Sequence, residues 1–152
     1  MRRERPRVLA VSSGGGHWVQ LLRLRAAFKN ADVVWVTVDA GYRFDVAEDR
    51  FHVVPDATRW DRARLAMLLV KMFWLVVRER PDVVVSTGAA VGYAAIRIGK
   101  ALGARTMWID SIANAEELSM SGRKALGTAD VCLTQWPHVA TDEGPLYRGA
   151  VL

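Results

Sequence analysis

The feature that most constrains the fold is an alternation. Short runs rich in valine and isoleucine recur along the chain, each followed by a stretch with helical character. Strands are expected at Arg7–Ser12, Val33–Val38, Phe51–Val54, Asp82–Ser86, Arg105–Ile109 and Asp130–Thr134, and helices at Trp18–Phe28, Trp60–Arg80, Gly92–Leu102 and Ser121–Thr128. Several strands are continuous apolar runs rather than apolar–polar alternations, the pattern of strands buried on both faces. Strand–helix alternation of this kind predicts an α/β fold, a Rossmann-like doubly wound parallel sheet in one domain spanning 1–152. In such sheets ligands bind beyond the carboxyl ends of the strands, where loops lead into helices.

Three loops fall at that rim: 'SSGGGH' after the first strand, 'STGAAVG' after the fourth and 'DSIANAEE' after the fifth. Ser13, Gly14, Gly15 and Gly16 lie between a strand and a helix. Glycines there bare the free N–H groups of a helix start to an anion. The same residues also serve a tight turn, and the spacing alone leaves both readings open. No Lys-Ser or Lys-Thr follows, so this is not a Walker A loop. Nor is it G-x-G-x-x-G, because Val19 stands where the third glycine belongs. Asp39 at the end of the second strand could imitate a ribose-binding acid, which keeps a small dinucleotide-binding redox module as an alternative. His17 follows the glycines directly. A neutral imidazole beside a phosphate site can take a proton from a hydroxyl, or it can merely shape its own loop.

Composition narrows the partners. The chain has a net charge of +5, with 51% hydrophobic and 24% charged residues, a globular balance rather than a disordered one. The charge points to anionic partners, or simply to an arginine-rich chain. The basic residues are spread out and no nucleic-acid motif occurs, so nucleic acid is not among the expected partners. Cys132 is the only cysteine, which excludes an internal disulfide and a cysteine-based metal site. Neither metal nor cofactor is expected. The basic start 'MRRERPR' leads into only 'VLAV' before the glycines, too short for the apolar core of a signal peptide, so the chain reads as cytoplasmic.

One helix stands apart. Leu65–Val77 is apolar except for Lys71, yet too short for a bilayer that needs about 20 apolar residues. Arg64, Lys71 and Arg78 are seven apart and form one cationic stripe, flanked by Met67 and Trp74 on one side and Leu68 and Leu75 on the other. A helix against a sheet normally turns a broad polar face to water, and this one has little beyond the stripe. The pattern fits a helix covered by another protein, or one lying among lipid headgroups with Arg64, Lys71 and Arg78 on phosphates and Met67 and Trp74 at the interface. The second is preferred, with the basic segment Arg2–Arg7 adding attraction to an anionic membrane surface. Trp35, Trp108, His52 and Cys132 are expected to be structural, and His138 is left unassigned.

The motifs 'SSGGGHW', 'STGAAVGY' and 'IDSIANAEELSMSGRKALGTADVCLTQWP', in that order and spacing, resemble the amino-terminal half of family-28-type glycosyltransferases. The chain is most similar to the subfamily whose two halves are separate proteins, such as the membrane-anchoring subunit of the dolichol-linked N-acetylglucosaminyltransferase and its bacterial polysaccharide-biosynthesis counterparts. The resemblance implies one half of a GT-B enzyme. This half would bind a polyprenyl-pyrophosphate-linked acceptor at the cytoplasmic face of the membrane, peripherally. A donor-binding glycosyltransferase subunit would hold the UDP-sugar. It also implies roles for residues: Gly14, Gly15 and Gly16 match the first glycine loop, and His17 the acceptor-side base. Ser86, Thr87 and Gly88 match the second loop. Asp110 and Ser111 stand where Glu-Ser is common, Asp110 as a second catalytic candidate with shorter reach. Gln135, Trp136 and Pro137 match a segment expected at the partner interface.

Overall fold

The computed structural model describes residues 3–151; Arg2, part of the expected basic segment, lies outside them. Seven strands form one sheet: β1 (Arg7–Val11), β2 (Asp32–Thr37), β3 (Arg50–Val53), β4 (Val83–Ser86), β5 (Arg105–Ile109), β6 (Val131–Thr134) and β7 (Leu146–Tyr147). Four α-helices connect them: α1 (Gly16–Arg23), α2 (Arg62–Glu79), α3 (Ala89–Ala101) and α4 (Met120–Leu126). The sheet order is β3-β2-β1-β4-β5-β6-β7 and every pairing is parallel. β1 sits at the reversal point, with Val8 beside Val33 of β2 on one side and Val83 of β4 on the other. This is the doubly wound Rossmann-like arrangement that the alternation requires.

Side chains from β1 divide between two layers. Leu9 and Val11 pack with Val34, Val36 and Val84 under α2, α3 and α4, through Leu68, Met72, Leu75, Ala95 and Ala125. Val8 and Ala10 face the opposite layer, where Trp18 and Leu21 of α1 meet Trp35. Trp18 stacks on Tyr42 at 5.1 Å and meets Trp35 edge-on at 5.8 Å. Trp35 and Trp108 are fully buried. The Trp18–Phe28 segment is not one helix; it tightens into a 3₁₀ turn at Leu24–Phe28. The seventh strand, Leu146–Tyr147, pairs with the end of β6.

The amino-terminal edge of the sheet is closed by charge. Arg7 and Arg50 both donate to Asp32, at 2.9 and 2.5 Å, and Arg50 also reaches the buried Glu79 at the end of α2, at 2.8 Å. His52 meets the other Glu79 oxygen at 3.1 Å, so it is structural as expected. Burial pushes the Asp32 carboxyl up, but the hydrogen bonds from Arg50 and Arg7 outweigh it and hold it below the usual carboxylate range.

Candidate functional site

The opposite edge is built from loops. Beyond β1, Ser12 is buried and donates to the Ser13 carbonyl at 2.9 Å, turning the chain toward α1. Gly15 adopts φ +66, a conformation other residues reach only with strain, and its N–H donates to the Tyr42 hydroxyl at 2.9 Å. A Cβ added at Gly15 or Gly16 would meet nothing within 4 Å. Packing therefore does not require a glycine at Gly16; the space beside it is open.

The second loop locks onto the first. His17 Nδ1 lies 3.0 Å from the Thr87 carbonyl, and the Thr87 hydroxyl donates back to the His17 carbonyl at 2.7 Å. A carbonyl only accepts, so Nδ1 carries the proton and a neutral ring presents Nε2 as an acceptor. Nε2 has no hydrogen-bond partner among the described residues. A Cβ at Gly88 would stand 2.3 Å from His17 Nδ1, and Gly88 has φ +144, so glycine is required there on both counts. Ser86 and Thr87 are fully buried, and Ser86 Oγ accepts the Gly88 N–H at 3.2 Å. These two side chains, expected to touch the ligand, instead hold the loop's shape.

The helix starts differ in a telling way. Asp61 caps α2 and Ser119 caps α4, through the N–H groups of Arg64 and Gly122 at 3.0 and 2.8 Å. Neither α1 nor α3 has a side-chain cap. Their first N–H groups have no helical acceptor; α1 begins one residue before His17, and Ala89 at the start of α3 lines the same cleft as His17. Asp39, the ribose-binding candidate of the dinucleotide alternative, caps a 3₁₀ turn at Ala40–Val46 by accepting from Gly41 N at 2.7 Å.

The third loop forms the floor. Asp110 is buried and accepts from Trp108 Nε1 at 3.0 Å, Ser119 N at 2.9 Å and Ser119 Oγ at 2.6 Å. Its carboxylate is consumed in fixing the α4 start, a positioning role rather than the catalytic one expected from the sequence. Gln20 on α1 donates to Ser111 Oγ at 3.2 Å and accepts from Ile112 N at 3.1 Å. Gln135 points inward too: it is buried, donates to the Asp110 carbonyl at 2.9 Å and accepts from Val151 N at 2.7 Å. That corrects the expectation of a Gln135 side chain facing a partner. Trp136 donates to the Ile112 carbonyl at 2.7 Å, and His138 bonds the Ala115 carbonyl, so this segment braces the third loop. Cys132 lies beneath, its thiol pushed up to about 12 by burial and by the nearby Asp110 charge.

A cleft of about 300 Å³ opens over this floor, lined by His17, Ala89, Ser111, Asn114, Ser119 and Ser121, with Met120 on its wall. The structure brings His17 and Ser111 together on this cleft, beside Ala89 at the start of α3. Asn114, Ser119, Ser121 and the Tyr42 contact were not foreseen. For Ser119 a readable signature existed, a serine just before a basic helical stretch.

The α2 stripe lies elsewhere, on the outer surface. Arg64, Lys71 and Arg78 are exposed, and Arg78 stacks on Trp74 at 4.9 Å. Leu68 and Leu75 are fully buried, while Met67, Val70, Phe73, Trp74 and Val77 are exposed. No helix among the described residues is long and apolar enough to cross a membrane.

The all-parallel sheet with uncapped helix starts at its carboxyl rim is the Rossmann-like half of a GT-B glycosyltransferase fold. Residues 54–151 match the family described as oligosaccharide biosynthesis protein Alg14 like, and the chain belongs to that family. The match includes the second and third loops and begins after the first. Among solved structures, MurG from Acinetobacter baumannii superposes with a TM-score of 0.75 at 11% identity, over 96% of this chain and 45% of that one. UDP-N-acetylglucosamine 2-epimerases from Rickettsia bellii and Methanocaldococcus jannaschii follow, with TM-scores of 0.65 and 0.62 at 16% and 14% identity. They cover 88% and 90% of this chain and 40% of each relative. The chain spans less than half the length of these structures. No curated protein matches its sequence. Family and fold make this a glycosyltransferase-related protein.

Proposed function

We propose that the chain is the acceptor-binding, membrane-docking subunit of a two-component glycosyltransferase. It would move N-acetylglucosamine or a related sugar from a UDP-sugar to a polyprenyl-pyrophosphate-linked acceptor. The observation that carries this reading is the His17 imidazole, with Nδ1 held by Thr87 and Nε2 unpartnered beside two uncapped helix starts. The acceptor's pyrophosphate lies against the N–H groups at the starts of α1 and α3, with Ser13, Gly14, Gly15, Gly16 and Gly88 keeping the approach clear. Nε2 takes the proton of the acceptor hydroxyl as its oxygen attacks the anomeric carbon, and the nucleotide diphosphate leaves with the bonding pair. The Thr87 carbonyl fixes the tautomer and steadies the imidazolium that forms.

The donor is held by a separate subunit facing the carboxyl rim near Trp136 and Pro137. The exposed stripe of Arg64, Met67, Lys71, Trp74 and Arg78 rests on an anionic bilayer, at the cytoplasmic face, where the acceptor is embedded. The decisive assay incubates the purified chain with radiolabelled UDP-sugar and polyprenyl-linked acceptor in anionic vesicles. It is then repeated with the donor-binding protein encoded beside it. Transfer is expected only in the mixture; robust transfer by the single chain would overturn the two-component assignment.

A further inference from the structure

The side chains beneath the His17 cleft hydrogen-bond in one direction, and that direction ends at the cleft. Val151 N donates to Gln135 Oε1 at 2.7 Å, so Gln135 turns its nitrogen toward Gln20 and the Asp110 carbonyl. Ile112 N donates to Gln20 Oε1 at 3.1 Å, and Gln135 Nε2 reaches the same oxygen at 2.5 Å. A backbone N–H only donates, so both amides are fixed in orientation. Gln20 Nε2 therefore donates to Ser111 Oγ at 3.2 Å, and Ala113 N donates to the same oxygen at 3.2 Å. Both lone pairs of the Ser111 hydroxyl are taken, and its proton has no acceptor among the described residues. Ser111 is only 7% exposed, and it lines the cleft.

The cleft thus holds two groups of fixed and opposite polarity, the Ser111 proton as donor and His17 Nε2 as acceptor. No charged side chain lines it, and Ala89 and Met120 give it apolar wall. Its volume of about 300 Å³ is at the small end of ligand pockets, which run from about 300 to 1,000 Å³. We propose that this cleft seats a single neutral sugar ring, one hydroxyl giving its proton to His17 Nε2 and the oxygen of another accepting from Ser111. An ionised phosphate could satisfy Ser111 but has no proton for Nε2, whereas ring hydroxyls satisfy both. Gln20 and Gln135 are positioning residues that make Ser111 a donor, and Ser111 sets specificity by requiring an acceptor oxygen at that point. The inference rests on the acceptor-binding reading and deepens it: the acceptor's pyrophosphate carries a sugar, and that sugar is what Ser111 reads.

Calorimetric titration of the whole chain tests this. The probes are the 1-phosphates of glucose, galactose, mannose and N-acetylglucosamine, with inorganic phosphate as the anion without a ring. At least one sugar phosphate should bind about tenfold or more tighter than inorganic phosphate. Ser111→Ala should weaken that sugar phosphate about three- to tenfold, the share of one hydrogen bond, and leave inorganic phosphate unchanged. Gln20→Glu, whose carboxylate only accepts, should turn the Ser111 proton away from the cleft and give the same loss. Mono-deoxy forms of the best sugar phosphate supply a readout that a merely structural role would not move. At one ring position, removing the hydroxyl should weaken binding to the parent chain but cost nothing further in Ser111→Ala or Gln20→Glu. Ser111→Ala carries the test if Gln20→Glu does not fold.

No sugar phosphate binding tighter than inorganic phosphate would overturn the ring seat. So would an equal loss of inorganic phosphate in Ser111→Ala, or a deoxy penalty that persists there at every position. Full affinity in a folded Gln20→Glu would overturn the positioning role. The two readings separate in the transfer assay. If the titrations hold but the chain and its partner transfer no sugar, the ring seat stands and the acceptor assignment falls. If transfer proceeds and the titrations fail, the acceptor assignment stands without the ring seat.

Discussion

The two ends of the sheet solve the same problem in opposite ways. At the amino-terminal edge the charges on β1, β2, β3 and the end of α2 pair inside the molecule: Arg7 and Arg50 on Asp32, Arg50 and His52 on Glu79. At the carboxyl edge Gln20, Asp110, Ser111 and Gln135 satisfy one another, while the buried Thr37 hydroxyl at the end of β2 has no partner among the described residues. Yet two helix starts go uncapped and one imidazole nitrogen goes unpaired, all around one cleft. Polar density by itself therefore does not mark a site; polar groups left incomplete at an opening do.

That contrast can be broken most sharply at His17. In the proposed two-component enzyme His17→Ala should lower turnover by about 10²–10⁴-fold, the usual share of a positioned base, with acceptor affinity and thermal stability nearly unchanged. A loss under tenfold would reduce His17 to a loop-shaping residue. The mirror experiment is Glu79→Ala at the other edge. Removing one partner of a buried ion pair costs about 3–5 kcal/mol, and the partial exposure of Arg7 and Arg50 argues for the lower bound. Denaturant melts should show that loss while turnover per folded molecule stays put. If turnover falls instead, the two edges are coupled and the contrast fails.

Acid gives a smaller, signed effect. With its carboxyl held low, native Asp32 binds fewer protons than the unfolded chain, so stability rises with pH in that range. The contribution is complete above the ordinary carboxylate value of about 3.9 and fades as pH drops through the depressed native value. Asp32→Asn should be less stable than the parent at pH 7, with the gap closing below about pH 4. A gap independent of pH would mean that packing, not charge, holds this edge. Smallest is Cys132: with its thiol pushed up to about 12, alkylation at pH 8 should proceed only as fast as the fold opens. Rapid labelling would show a more mobile site floor than the hydrogen bonds imply.

Six strands, four helices and the sheet class were legible because buried parallel strands write continuous apolar runs into the sequence. β7 was not: Leu146–Tyr147 is two residues long and carries no periodicity. The glycine loops and His17 were legible from local spacing. Their interlock was not, because Thr87 lies 70 residues from His17 and only sheet order makes them neighbours. Gln20, Asp110 and Gln135 were misjudged or passed over because polar residues read as surface or chemistry until the partners that bury them are known. The basic and apolar stripe of α2 was legible from its spacing of seven; that Leu68 and Leu75 on its flank are fully buried depends on how the helix packs on the sheet.

The exchange of hydrogen bonds between His17 and Thr87 also sets an order of events in time. The His17 ring takes its orientation only once β4 lies beside β1 and delivers the Thr87 carbonyl. A nascent or proteolytically nicked chain that has made its first strand and helix therefore owns the histidine without the orientation that its proposed role as a base requires. On the proposed reading the imidazole is oriented for its task only when the middle of the sheet closes, and activity would then be a late and stringent reporter of correct folding.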